Sequence, residues 1–349
     1  MVGTTQEIET RSGPRSLARP GGRKLGLWMA TALVVGNMIG SGVFLLPSSL
    51  AQYGGISIVA WVVTALGAMA LAIVFARLGR AFPRTGGPYA YSRRAFGDFV
   101  GFQTAWGYWI AVWAGNAAIA VAFVGYLSRF WGELDGNNAL AAVVATGAIW
   151  LLTWVNALGV RMGGWVQGVT TVLKLVPLVA IATIGLLSFD PDNFGAFNAA
   201  GGSWFTNVTA AATLTLWAFI GLESATVPAE DVADPERTIP RSTVIGTAVA
   251  AVVYILGTVA VMGVLSSGAL AGSSAPFADA AENMWGAWAG DAVAVGAVIS
   301  AFGALNGWIL LQGQVPMAAA RDRLFPAAFG RTTRSGAPVF GLVVLRRWR

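Results

Sequence analysis

Leu27–Ala51 reads LWMATALVVGNMIGSGVFLLPSSLA, with Gly36-Asn37-Met38-Ile39-Gly40-Ser41-Gly42 at its centre. The run carries no charge and exceeds the roughly 20 apolar residues needed to cross a bilayer's hydrocarbon core. Working outward, similar runs recur at Ser57–Ala76, Phe102–Ser128, Ala139–Leu158, Trp165–Ser188, Phe205–Pro228, Val244–Val264 and Ala292–Ala320. A further run starts near Val339 and stops at Leu345. The pattern predicts an all-α integral membrane protein with eight complete spans and a partial ninth. Of the 349 residues 56% are hydrophobic and only 11% charged, against about 25% charged in a soluble domain. The 45 glycines and 15 tryptophans fit the same environment. Neither Cys nor His is present, which excludes disulfides, thiolate chemistry, the usual zinc sites and imidazole bases. The sequence calls for no cofactor and no metal.

Basic residues set the orientation. With the N-terminus inside, internal segments carry Arg11, Arg15, Arg77, Arg80, Arg93, Arg161, Arg237 and Arg321 among others, while external loops carry only Arg129. That is a strong positive-inside bias, so the net charge of +6 reports topology and not nucleic-acid binding. The expected location is the plasma membrane, with residues 1–26 as a disordered cytoplasmic tail. That tail is too polar, and the first apolar run too long, for a cleavable signal peptide.

Two ionisable residues remain inside spans, Lys174 and Glu223. A charge at a span's centre costs at least about 2.5–3.5 kcal/mol, so such residues face a cavity or a partner. Lys174 lies roughly 15 Å deep at 1.5 Å per residue, too deep for easy snorkelling. It is either a structural ammonium on backbone carbonyls or a coupling residue. Glu223 is nearer the cytoplasmic edge, so a side chain reaching the interface is the alternative to a gating or coupling role.

The glycines supply a second signal. Gly36, Gly40 and Gly42 interrupt span one, and Phe219-Ile220-Gly221-Leu222-Glu223-Ser224 interrupts span six. Interrupted helices at corresponding positions of two repeats mark a transporter binding site. Unwinding frees backbone N–H and C=O groups, which persist in a bilayer only where they line a cavity or meet a ligand. Freed N–H groups suit a carboxylate and freed carbonyls an ammonium; an amino acid carries both. The competing reading of Gly36 and Gly40 is a small-residue helix-packing stripe. A phosphate loop is excluded, since no Lys-Ser/Thr follows the glycines. Among the aromatics, Trp61, Trp131, Trp285 and Trp288 read as interfacial belt residues. Trp217 and Trp308 read as deeper, where an indole forms a wall, a gate or a cation–π platform.

Val35–Phe44, Gly86-Gly87-Pro88-Tyr89-Ala90-Tyr91, Leu216–Ser224 and Asp234-Pro235-Glu236-Arg237-Thr238-Ile239-Pro240 together resemble the amino acid–polyamine–organocation superfamily. The chain is most similar to its basic amino acid/polyamine antiporters, of the arginine–agmatine exchanger type, from about Leu25 to Gly341. The resemblance implies a LeuT-like fold: a first five-helix repeat over 27–188, an incomplete second over 205–345, and a basic tail at 346–349. It implies secondary transport by alternating access, no enzymatic activity, and an amino acid substrate (arginine, lysine, ornithine or a related amine). It leaves a homodimer open. Carried over by motif, Met38, Ser41 and Gly42 meet the substrate's carboxylate and amino group, and Ile220 offers its carbonyl. Ala111, Val112, Asn116 and Trp308 form the side-chain pocket. Trp217 resembles a lid over bound substrate, and Tyr108 with Glu223 resembles the cytoplasmic gate.

Lys174 departs from the arginine–agmatine exchanger, which is apolar there. Proton-coupled, sodium-independent relatives place a lysine ammonium at that point in place of a sodium ion, so proton symport of a broader range of amino acids is the alternative. After Gly341 the chain reads Leu342-Val343-Val344-Leu345-Arg346-Arg347-Trp348-Arg349, where relatives continue through spans nine to twelve. The expectation from this ending is a C-terminally truncated permease, and a non-transporting fragment is a further alternative. An intramembrane enzyme has only one Glu and one Lys to work with.

Overall fold

A computed structural model describes residues 24–40, 42–333 and 335–343. Ser41, expected to meet substrate, most of the 1–26 tail and the 346–349 tail lie outside the described residues. The helices are α1 (Leu27–Met38), α2 (Leu46–Ala51), α3 (Ile56–Ala81), α4 (Pro88–Phe96), α5 (Asp98–Leu127), α6 (Asn138–Ala157) and α7 (Val160–Thr183). They continue as α8 (Trp204–Trp217), α9 (Pro235–Val264), α10 (Ser267–Gly272), α11 (Pro276–Trp285), α12 (Ala287–Arg321) and α13 (Val339–Val343). Six of them, α3, α5, α6, α7, α9 and α12, are long and apolar enough to cross a membrane. The described residues include no strand, only an isolated bridge between Leu25 and Val232.

Three boundaries differ from the sequence expectation for one reason: apolar runs end where charges begin, and helices do not. α9 starts at Pro235 rather than Val244, because Pro235 at its first turn and Glu236 beside it are good helix starters. α12 extends from Ala287 to Arg321, and α7 starts at Val160. The partial ninth run is helical over Val339–Val343.

α12 is the central helix. In its most apolar window 78% of residues are buried, against 17% for peripheral α6, and it packs on α5, α7 and α11. α3 and α9 form the other closely packed pair. Between them Trp61 is fully buried, its ring 6.0 Å from Phe219 and 5.2 Å from Tyr254. Trp61 is therefore a core residue and not part of an interfacial belt. Trp288, by contrast, is 70% exposed.

Candidate functional site

α1 stops at Met38, and the chain passes through Ile39 and Gly40 to a short turn at Gly42–Phe44 before α2. The freed carbonyls do not stay free. The Lys174 ammonium donates to Gly36 O at 2.8 Å and to Ile39 O at 2.5 Å. Ser300 Oγ donates to Ile39 O at 3.1 Å and Gly40 O at 3.2 Å. The Trp308 indole N–H donates to Asn37 O at 3.3 Å. Three side chains from α7 and α12 thus hold the end of α1, and Lys174 is fully buried in doing so. Gly36 lies inside α1, where a Cβ would come within 1.9 Å of Gln167 Nε2 and 2.6 Å of Thr171 Oγ1. Its absent side chain serves helix packing, while the unwinding falls at Ile39 and Gly40.

The second interruption follows α8. From Ala218 to Val227 the backbone runs in tight turns, with Gly221 at a φ of +111°, a conformation that glycine reaches without steric cost. A Cβ at Gly221 would sit 3.1 Å from the backbone of Asn37 and 3.2 Å from Met38 N, so the two interruptions touch. Asn37 Nδ2 also donates to Ser224 Oγ at 2.9 Å. Glu223 is 9% exposed and does not reach toward an interface. One carboxylate oxygen accepts from Tyr108 Oη at 2.9 Å, and the other accepts from Gly221 N at 3.2 Å. The expected gate pair is therefore in contact, and the same carboxylate satisfies a backbone N–H that the unwinding frees.

Of the remaining expected site residues, Met38, Val112, Asn116 and Trp308 are buried, and Val112 and Trp308 belong to one apolar cluster. Gly42 faces Trp217, whose Cδ1 lies 3.6 Å from where a Cβ would be. Trp217 is 65% and Ile220 48% exposed. Ala111 is exposed and lies off the buried stripe of α5 formed by Val112, Asn116 and Ala120.

The sequence reading missed a chain of buried side chains behind the first interruption. Gln167 Nε2 donates to Asn37 Oδ1 at 3.5 Å, Asn306 Nδ2 to Gln167 Oε1 at 3.1 Å, and Asn156 Nδ2 to Asn306 Oδ1 at 3.0 Å. With Ser224 this links the post-α8 segment, α1, α7, α12 and α6. Uncharged amides inside apolar runs were the available signal. Where α12 ends, Asp322 accepts from Tyr89 Oη at 2.9 Å and pairs with Arg93 at 2.6 Å, while Arg93 also pairs with Asp98 at 2.6 Å. Burial, then the hydrogen bond to Asp322, pushes the Tyr89 phenol well up, and Arg93 is held charged chiefly by its bond to Asp98. At the opposite end Arg129 pairs with Asp291 at 3.0 Å and Glu282 at 3.5 Å. Among the described residues no acidic cluster could hold a metal ion.

Residues 25–345 match the family model of amino acid permeases. The chain is 40% identical over 326 residues to a cadaverine/lysine antiporter of Escherichia coli (strain K12), covering 92% of this chain and 72% of that protein. It is 34% identical over 323 residues to the putrescine transporter PotE of the same strain, covering 92% and 73%.

Proposed function

The chain belongs to the amino acid permease family, a multi-pass membrane transporter by that membership, and on this footing we propose that it carries cationic amino acids. The exchanged partner is the corresponding amine, and transport proceeds by alternating access around the interruptions after α1 and α8. The contact between these interruptions, Gly221 against Asn37 and Met38, carries the proposal. It brings the turn segment after α8 against the end of α1, so that the two interrupted helices meet at one place, the arrangement that marks a transporter's substrate site.

In this reading α1 with α2 forms the first span, and α8 with the following turns forms the sixth. Residues 27–188 then compose the first inverted repeat of a LeuT-like fold and 205–345 part of the second, with the N-terminus cytoplasmic and the plasma membrane as location. Met38, Ser41, Gly42 and the Ile220 carbonyl take the amino acid backbone. Ala111, Val112, Asn116 and Trp308 take its side chain. Trp217 closes over it, and Tyr108 with Glu223 closes the path below. No covalent step is involved. The names of the relatives favour lysine, cadaverine and putrescine as substrates, and arginine and ornithine are of the same class.

The second reading, proton-coupled symport, is favoured by Lys174, whose ammonium rests on the carbonyls of Gly36 and Ile39. Counterflow in proteoliposomes separates the two. Labelled lysine should enter vesicles loaded with cadaverine and not vesicles loaded with buffer. Uptake into buffer-loaded vesicles driven by a pH gradient would favour symport instead, and no uptake of any amino acid would defeat both.

A further inference from the structure

One unused hydrogen-bonding atom beside the proposed pocket bears on substrate class. Asn116 on α5 is 4% exposed and Gln312 on α12 is 3% exposed. Asn116 Nδ2 donates to Gln312 Oε1 at 2.8 Å, while Asn116 Oδ1 is buried with no partner among the described residues. A buried acceptor left unpaired is costly, which makes it ready to meet an incoming donor. The two ends of a carboxamide are chemically opposite, one accepting only and the other donating only. Whichever group holds one end decides what the other end presents.

The geometry points to Gln312 as a positioning residue for substrate selection. By taking the Asn116 amide N–H, it leaves the Asn116 carbonyl as the group offered to the substrate side chain. Val112 and Asn116 lie one turn apart on the buried stripe of α5, as Trp308 and Gln312 do on α12. The Asn116–Gln312 pair therefore borders both proposed side-chain pocket residues, Val112 and Trp308. A carbonyl there rewards a side chain ending in N–H donors, an ammonium or a guanidinium. A neutral aliphatic end leaves it unpaired. If the Asn116 amide were turned round, its N–H would repel an ammonium and donate to a carbonyl-bearing side chain. Gln312 thus acts through Asn116 and touches no substrate itself. The inference rests on the proposed side-chain pocket.

The test compares binding of lysine and norleucine, which share a carbon chain and differ in the terminal ammonium, by calorimetry on the purified chain. The wild-type chain should prefer lysine. Gln312→Met, of similar volume but with no acceptor oxygen, should lower that preference about tenfold or more while leaving norleucine affinity unchanged. Gln312→Glu keeps an acceptor at the same point and adds a charge that itself attracts a cation, so it should retain or raise the preference, and it serves where the Met variant folds poorly. A lysine-to-norleucine ratio unchanged in Gln312→Met, an equal loss of both ligands, or a lost preference in Gln312→Glu overturns the role of Gln312 and leaves the proposed function standing. A wild-type chain that binds norleucine as tightly as lysine overturns both.

Discussion

At the first interruption the freed carbonyls of Gly36, Ile39 and Gly40 are taken by Lys174 and Ser300, side chains of α7 and α12. At the second, Gly221 N is taken by Glu223 two residues along the same segment, and Ala218 O by Tyr254 of α9 at 3.0 Å. One unwound segment is bolted to the central helix and its neighbour. The other is held by its own Glu223, by Tyr108 of α5 and by Tyr254 of α9, and it leans on the first through Gly221 and through the Asn37–Ser224 bond. The asymmetry has a physical consequence. Loosening the first interruption removes support from both, whereas loosening the second is a local event. In transport terms, the first is suited to stay with the scaffold and the second to move.

The largest effect should follow Lys174→Met. It leaves the Gly36 and Ile39 carbonyls short of a donor in a buried place, at roughly 1–3 kcal/mol for each group. Counterflow should fall on the order of 100-fold, with a lower melting temperature in detergent. A variant that melts and transports like the wild type would show that Ser300 and Trp308 suffice to hold the break.

Gly221→Ala should come next. The substitution forces an L side chain to a φ of +111° and 3.1 Å from Asn37, at a cost of about 1–3 kcal/mol. Its loss of stability should be smaller than that of Lys174→Met, because Asn37 keeps its partners Gln167 in α7 and Trp308 in α12. Equal losses would mean that the two segments are a single unit and that the asymmetry is false.

Glu223→Gln should do less to stability still. The amide oxygen can accept from either Tyr108 or Gly221 but its NH2 cannot, so one of two contacts is lost. Exchange should slow by about tenfold with the melting temperature within a few degrees of wild type. An unchanged exchange rate would remove Glu223 from the gate.

How much of this was legible in the sequence depends on what each residue costs to place in a membrane. Lys174 and Glu223 stood out because a charge in hydrocarbon is expensive and must have a partner. The interruptions stood out because three glycines crowd the first apolar run and Gly221 with Glu223 breaks the second. Ser300, Gln167, Asn306 and Gln312 carry no charge and sit in Ala- and Gly-rich helices, where a polar residue attracts no notice until its partner on another helix is known. Helix ends were illegible for a related reason: the first turns of α9 are polar, so hydropathy placed its start nine residues late, at Val244 instead of Pro235. Trp61 misled because residue type suggested an interface, whereas burial follows from what α9 and the post-α8 segment bring against it.

The smallest expected effect is none at all, and it tests the first interruption directly. A sodium ion bound between α1 and α12 would need backbone carbonyls of the unwound segment together with a hydroxyl, hard oxygen ligands of the kind that Ile39, Gly40 and Ser300 offer. The Lys174 ammonium already occupies the Gly36 and Ile39 oxygens. A second cation about 4 Å away would be repelled by on the order of 4 kcal/mol at an effective dielectric of 20, which removes most of the affinity a weak alkali-cation site offers. Counterflow of labelled lysine should therefore run at the same rate when sodium is replaced by choline on both sides of the vesicle. A rate that rises steeply with sodium would mean that Lys174 leaves those carbonyls during the cycle. The bolted segment would then be the moving one, and the comparison between the two interruptions would have to be reversed.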